Sequence, residues 1–315
     1  MGFEAFPMFL AMALWASFSA NGVADTAERV DGLELHFYRD SCPSAEVIVK
    51  QKARTSMVGD PSTAAALLRL AFHDYQVDGC DASVLLGDSS SLITETLSGK
   101  NFGIQKLDTI DEIKSSLESV CPQTVSCADI IQLAAREAIF LSRQGGPYIE
   151  VLTGRRDTLA ASKERADEQL PEADISVDEL IEIFGQKNIS IEEGVALHSL
   201  APAARADPAI SPSHAFVLKI ICSGPSVSDV AFATNDATAI SFDNRYFIDT
   251  LNGRGLLKID SDISRDPRTL SHVVRFGISL EQFFERFSYG FSKLSNYKAL
   301  VGDVGKIRRD SRFSN

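Results

Sequence analysis

Beyond Asp25 the apolar residues of this chain recur three and four apart, and strict two-residue alternation is scarce. A chain written in that period buries one stripe of each helix against other helices, so the expected class is all-α. Local signals divide the run into elements. Asp60-Pro61 is expected to open a helix through Leu67, Leu68, Leu70, Ala71 and Phe72, with Pro61 where a missing N–H costs little. Leu107, Ile110, Ile113, Leu117 and Val120 mark a second helix, ended by Cys121-Pro122. Ser126 begins a third, stopped by Gly145-Gly146-Pro147. Ser176 with Glu179 and Ser190 with Glu193 read as capping boxes ahead of VDELIEIF and IEEGVALHSL. Helices over Phe242 to Leu251, roughly Pro267 to Phe276, and Leu280 to Leu294 complete the series. An Ala-, Pro- and Ser-rich stretch, SLAPAARADPAISPSHAF at 199–216, has no sustained period and reads as a loop or insert; the irregularity extends to 221.

Composition narrows the function classes. At 44% hydrophobic and 23% charged, the 315 residues are neither collagenous, low-complexity nor multi-span. With 31 basic against 43 acidic residues, a net charge of −12 and no basic run, nucleic acid is not an expected partner. Residues 1–24 hold an apolar run from Phe6 to Phe18 followed by small residues, the texture of a signal peptide. Glu4 and the lack of Lys or Arg before the run keep a signal anchor as the competing reading. Residues 25–315 then form a single domain, without a stable membrane span. Export would place the five cysteines, an odd number, in an oxidising compartment, and Asn188-Ile189-Ser190 would be a glycosylation acceptor.

The segment most loaded with chemistry is LLRLAFHDYQVDGCDAS, residues 67–83. Arg69 and His73 are four apart, so on a helix they share a face one turn from each other. Burying both calls for a task or a partner, whereas a helix-end histidine with a surface arginine is the plainer reading. Asp74, Asp81 and Ser83 follow around Gly79, and hard oxygen ligands at a turn suit Ca²⁺; a solvated acidic loop is the alternative.

These motifs resemble the class III secretory plant peroxidases over nearly the whole mature length. The landmarks are FYRDSCP at 37–43, LLRLAFHD at 67–74, GCDASVLL at 79–86, CP at 121–122, VSCADI at 125–130, GGPYIEVLTGRRD at 145–157, FDNRYF at 242–247 and GRGLL at 253–257. The resemblance implies a two-lobed helical haem-peroxidase fold that clasps haem b between a distal and a proximal helix. It implies that His73 is the distal acid/base and Arg69 its cationic partner, with Phe72 shielding the haem edge and Asn101 fixing the histidine tautomer. Asp74, Asp81, Ser83 and the carbonyls of Val77 and Gly79 would form a distal calcium site, with Glu95 as a water-mediated partner. Thr238 and Asp243, with Asn235 or Asp236, match part of a proximal calcium site. Asp129 and Arg155 match a buried ion pair, and Pro171 the rim where phenolic donors rest.

The family's proximal histidine sits in a motif resembling LSGAHTIG. Here the matching run is GVALHSLAPAA at 194–204, which puts Ala201 at the ligand position and Pro202 at the calcium-binding position after it. Alanine cannot ligate iron. His198, three residues earlier and about 4.5 Å back along the axis, is a weak substitute, His214 a weaker one, and Asp260, which orients the family's proximal histidine, is expected to lack its partner. Of the four family disulfides, Cys42–Cys121 is implied. Cys80 faces Tyr75 as partner position, Cys127 faces Ser311, and Cys222 belongs to the irregular segment.

The implied function is a haem-dependent peroxidase that oxidises phenolic donors with hydrogen peroxide, secreted to the apoplast or vacuole and monomeric. The alternatives are a catalytically inactive peroxidase-like secreted scaffold or a mis-spliced gene product.

Overall fold

The computed structural model describes residues 31–87, 93–172, 174–199, 236, 238 and 240–314. The 1–24 segment, Ala201, Pro202, His214, Cys222, Asn235 and nearly all of 199–221 lie outside the described residues.

Serine starts many of the helices. Ser126, Ser162, Ser176, Ser190 and Ser279 each accept a backbone N–H of the first turn through the side chain. This satisfies a donor that would otherwise face no partner. The boxes at Ser176/Glu179 and Ser190/Glu193 are both closed. The resulting helices are α1 (Ala45–Gly59), α2 (Thr63–Gln76), α3 (Leu107–Val120), α4 (Cys127–Phe140), α5 (Lys163–Gln169), α6 (Val177–Gly185), α7 (Ile191–His198), α8 (Arg245–Leu251), α9 (Lys258–Ile263), α10 (Leu270–Ile278) and α11 (Leu280–Ser295). Three short 3₁₀ turns lie between α2 and α3. Among the described residues there is no strand, only the isolated bridges Glu34–Thr153, Arg156–Leu300 and Asp157–Lys306.

The helices pack in two groups. α1, α2 and α3 pack on α4, while α7, α8, α10 and α11 pack on one another, and α11 reaches across to α2. Leu67, Leu70, Ile130 and Leu133 from the first group and Phe247, Phe276, Phe283 and Phe287 from the second share one apolar core. The phenylalanines meet edge-on or tilted with centroids 5.1–6.1 Å apart, the favoured aromatic geometry.

One ion pair ties the groups together. Asp129 in the first turn of α4 and Arg155 are both fully buried, with Arg155 Nη1 2.7 Å from Asp129 Oδ1. The other carboxylate oxygen accepts from the Tyr38 hydroxyl at 2.5 Å and the Gly154 and Arg155 amides at 2.7 and 3.1 Å. Arg155 also donates to the carbonyls of Leu152 and Ser295 and to Asn296 Oδ1, so it binds the end of α11 to the start of α4. Burial, reinforced by Asp129, holds the Tyr38 phenol well above its usual range, so it donates to the carboxylate.

Several boundaries differ from the sequence expectation. Pro61 does not open α2: the Asp60 carboxylate accepts from the Ser62 amide and hydroxyl, which places 61–62 in a turn and starts the helix at Thr63. α4 ends at Phe140 rather than at the glycines, and Gly146 packs so tightly that a Cβ would lie 2.5 Å from the Ile139 carbonyl oxygen. The sequence pattern did not reveal α1, α5 or α9. The Cys42–Cys121 disulfide is formed, its ends 79 positions apart in the sequence. Among the described residues Cys80 and Cys127 are free and buried.

Candidate active site

α2 supplies the first half of the site. Its 3.6-residue period puts Arg69 one turn before His73, and both lie where the helix faces the 93–104 segment. His73 is 3% exposed. Its Nδ1 lies 2.6 Å from Asn101 Oδ1. The Asn101 amide is oriented by its own second contact, Nδ2 donating to the Glu95 carbonyl at 2.7 Å. With Oδ1 turned toward the imidazole, the ring proton is assigned to Nδ1 and the lone pair to Nε2. Arg69 Nε then donates to that Nε2 at 3.2 Å, while its Nη1 and Nη2 donate to the carbonyls of Gly103 and Phe102 at 3.1 and 2.8 Å. Burial and the Arg69 charge, against the Asn101 hydrogen bond, push the His73 pKa down to about 4. The side chain is therefore a neutral base at any mildly acidic or neutral pH. Phe72 packs edge-on to His73 at 5.6 Å and to Tyr75 at 5.3 Å.

Immediately after His73 comes a set of buried oxygens. Asp74 is fully buried, and among the described residues neither of its carboxylate oxygens meets a hydrogen-bond partner; Ser83 Oγ and Glu95 Oε2 are in the same condition. Asp81 is 7% exposed. Burial, with Asp81 and Glu95 as like-charged neighbours, pushes Asp74 well above the carboxylate range, and burial lifts Asp81 to about 6 and Glu95 to about 8. Carboxylates gathered this way need a cation to be ionised. Among the described residues no three His, Cys, Asp or Glu side chains form a metal cluster by themselves. Hydroxyl and carbonyl oxygens must therefore contribute, as Ca²⁺ accepts. The turn that would present the Val77 and Gly79 carbonyls depends on glycine: Gly79 has φ +119°, and a Cβ there would lie 2.6 Å from Lys298 Cβ. These residues fit a calcium ion.

A second set of candidate residues gathers around Asp260, expected from sequence to lack its family partner. Asp260 is not left unpartnered. His198, the last residue of α7 and 6% exposed, places Nε2 3.3 Å from Asp260 Oδ1. The same oxygen accepts from the Tyr246 hydroxyl at 2.6 Å, and Oδ2 accepts from the Leu256 and Leu257 amides at 2.8 and 2.7 Å. Burial pushes this carboxyl up, but the His198, Tyr246 and Leu257 contacts outweigh it and hold it below the usual range. A buried carboxylate thus orients one ring nitrogen of His198, as carboxylates do around metal-ligating histidines. The register that pointed to Ala201 gave no weight to this contact, which is made across 62 positions of sequence.

Farther out, Asp236, Thr238 and Asp243 come together: the Thr238 hydroxyl donates to Asp243 Oδ1 at 3.0 Å and to Asp236 Oδ1 at 3.3 Å. Pro171 follows Leu170, whose carbonyl accepts from Lys100 Nζ at 2.7 Å. Tyr246 and the Phe102 and Gly103 carbonyls were not singled out from sequence. Tyr246 lay in view within FDNRYF, but nothing local tied it to Asp260.

A base whose proton is fixed on its far nitrogen, beside a guanidinium, is equipped to move a proton between the two oxygens of a peroxide. An all-helical chain with this equipment on α2 falls among the haem peroxidases. The chain belongs to the peroxidase family, whose model, described as Peroxidase, matches residues 49–279. It is 41% identical to Peroxidase 29 of Arabidopsis thaliana over 95% of this chain and 94% of that one. It is 37% identical to Peroxidase 28 of the same plant, over 90% and 93%. Peroxidase 40 is 39% identical over 90% and 86%. The family carries haem and calcium and reduces hydrogen peroxide at the expense of small-molecule donors. No described helix is long and apolar enough to cross a membrane.

Proposed function

We propose that this chain is a secreted, monomeric, calcium-bearing peroxidase that oxidises phenolic donors and holds its haem iron through His198. The observation that carries the reading is the buried His198–Asp260 contact at 3.3 Å, which supplies an oriented imidazole although the family register places Ala201 at the ligand position. Haem, when bound, supplies the redox-active iron at which peroxide is reduced and donors give up electrons. His73 takes the proton of one peroxide oxygen on Nε2 and returns it to the other as the O–O bond breaks. Arg69, anchored by the Phe102 and Gly103 carbonyls, stabilises the negative charge that develops on the departing oxygen. Asn101 keeps the lone pair on the working nitrogen. Each of two phenols then gives one electron and one proton, so one peroxide becomes two waters. Asp74, Asp81, Ser83 and the carbonyls of Val77 and Gly79 would hold the distal calcium, with Glu95 beyond them. Asp236, Thr238 and Asp243 would make up the described part of a proximal site. Residence in the apoplast or vacuole accords with the Cys42–Cys121 disulfide, since such bonds persist in oxidising compartments.

Reconstitution with haem tests the reading. Wild-type protein should show a histidine-ligated Soret band and oxidise a phenol in the presence of peroxide, and His198→Ala should lose that ligation. Failure of the wild type to take up haem would favour the second reading, an inactive scaffold. That reading draws on Arg69 Nε standing 3.2 Å from the nitrogen that must receive the peroxide proton. An unchanged haem spectrum in His198→Ala would remove His198 from the iron.

A further inference from the structure

Asp260 Oδ1 accepts two hydrogen bonds of very different length: 2.6 Å from the Tyr246 hydroxyl and 3.3 Å from His198 Nε2. The other oxygen is already occupied by the Leu256 and Leu257 amides, so all four acceptor directions of the carboxylate are in use. Two donors on one oxygen compete for the same negative charge. The phenol takes the larger share, because its bond is shorter and its own ionisation is suppressed by burial. It is held in place by its ring, 3% exposed, packed edge-on against Phe247 at 5.1 Å and also edge-on to His198 at 6.4 Å.

We propose that Tyr246 is a positioning residue that weakens the Asp260–His198 hydrogen bond and thereby raises the reduction potential of haem bound at His198. The proposal rests on the reading of His198 as the residue that would hold the haem iron. A carboxylate that pulls strongly on the distant N–H of an axial imidazole makes the imidazole more anionic and stabilises ferric iron over ferrous. A phenol that occupies the same oxygen reduces that pull. Removing the hydroxyl without changing the ring returns the charge to His198, shortens the 3.3 Å contact and favours the ferric state. No bond is made or broken in this effect. It is a redistribution of hydrogen bonding on one carboxylate.

Tyr246→Phe, Asp260→Asn and the double variant form the test. In the haem-free protein, the N–H proton of His198 that faces Asp260, observed by NMR, should move downfield in Tyr246→Phe as the contact shortens. This arm is read without iron and so stands apart from the haem assignment. In the reconstituted protein, Tyr246→Phe should shift the ferric/ferrous equilibrium about tenfold toward ferric, a fall of about 59 mV for one electron, and raise the iron–histidine stretching frequency of the ferrous form. Asp260→Asn should move both in the opposite direction. In the double variant the hydroxyl has no carboxylate to compete for, so adding Tyr246→Phe to Asp260→Asn should produce no further shift. A residue that serves only packing would lower thermal stability while leaving the proton shift, potential and stretch unchanged, or would give additive effects in the double variant. Either result overturns the proposal. Loss of haem binding in the wild type would overturn the His198 reading instead, with the NMR arm still deciding the competition.

Discussion

Replacing Arg155 by methionine tests whether the two helical groups are held together by the buried ion pair at their junction. The side chain makes five hydrogen bonds to four acceptors: Asp129 Oδ1, the Leu152 carbonyl, the Ser295 carbonyl through two nitrogens, and Asn296 Oδ1. Methionine fills much of the volume and satisfies none of them. Asp129 would keep Tyr38 and two amides on its other oxygen, so it is not stripped bare, but its charge would lack a counter-ion in a site with no solvent exposure. Breaking a buried pair of this kind costs about 3–5 kcal/mol. That is a large part of the roughly 5–15 kcal/mol that holds a domain folded. At about 2–4 °C per kcal/mol for a chain of this size class, the melting midpoint should fall by roughly 6–20 °C. Far-UV circular dichroism followed on heating reads the change. Arg155→Met combined with Asp129→Leu should recover part of the loss, since an apolar pair needs no partner. A fall of less than about 1 kcal/mol in the single variant, within the range of an exposed ion pair, would refute the argument that this contact fastens α4 to α11.

The site gives further expectations. Chelation of calcium should lower the melting midpoint, and added Ca²⁺ at a hundred times its dissociation constant should restore about 2.7 kcal/mol; Asp74→Asn should blunt both responses in the same calorimetric assay. In haem-loaded protein, His73→Leu should slow the reaction with hydrogen peroxide about 10²–10⁴-fold by stopped flow. The same rate in the wild type should hold level through neutral pH and fall with acidification through about pH 4, because His73, depressed by burial and Arg69, accepts the peroxide proton only while neutral. A limb centred near the ordinary imidazole value would contradict that environment for His73.

The elements legible in the sequence were those with wide apolar stripes, some of them marked by serine caps as well. α7 is one, its box closed by Ser190 and Glu193. α1 escaped because it buries only Ala45, Val49 and Ala53, a narrow stripe in which two of three residues are alanine. α5 buries Ala166 alone, and α9 is six residues long. The Arg69–His73 pair was legible because its spacing is local to one helix. The Asp260 partner was not, since the contact depends on how α7 and α9 come to rest against each other rather than on either segment. The cysteines behaved in between: Cys42–Cys121 formed as the resemblance implied, and Tyr75 and Ser311 leave Cys80 and Cys127 free.

Those two free thiols bear on the lifetime of the protein. In the folded chain burial lifts Cys127 to about 12 and Cys80 well above the ordinary thiol range, so neither supplies a thiolate. Unfolding removes that protection. Both would then ionise near the usual thiol range in a chain that also carries the Cys42–Cys121 bond, and thiolate attack on that bond would scramble it. In an oxidising compartment opening would become a one-way event, and the working life of the molecule would then be governed by how fast it unfolds rather than by how stable it is at equilibrium.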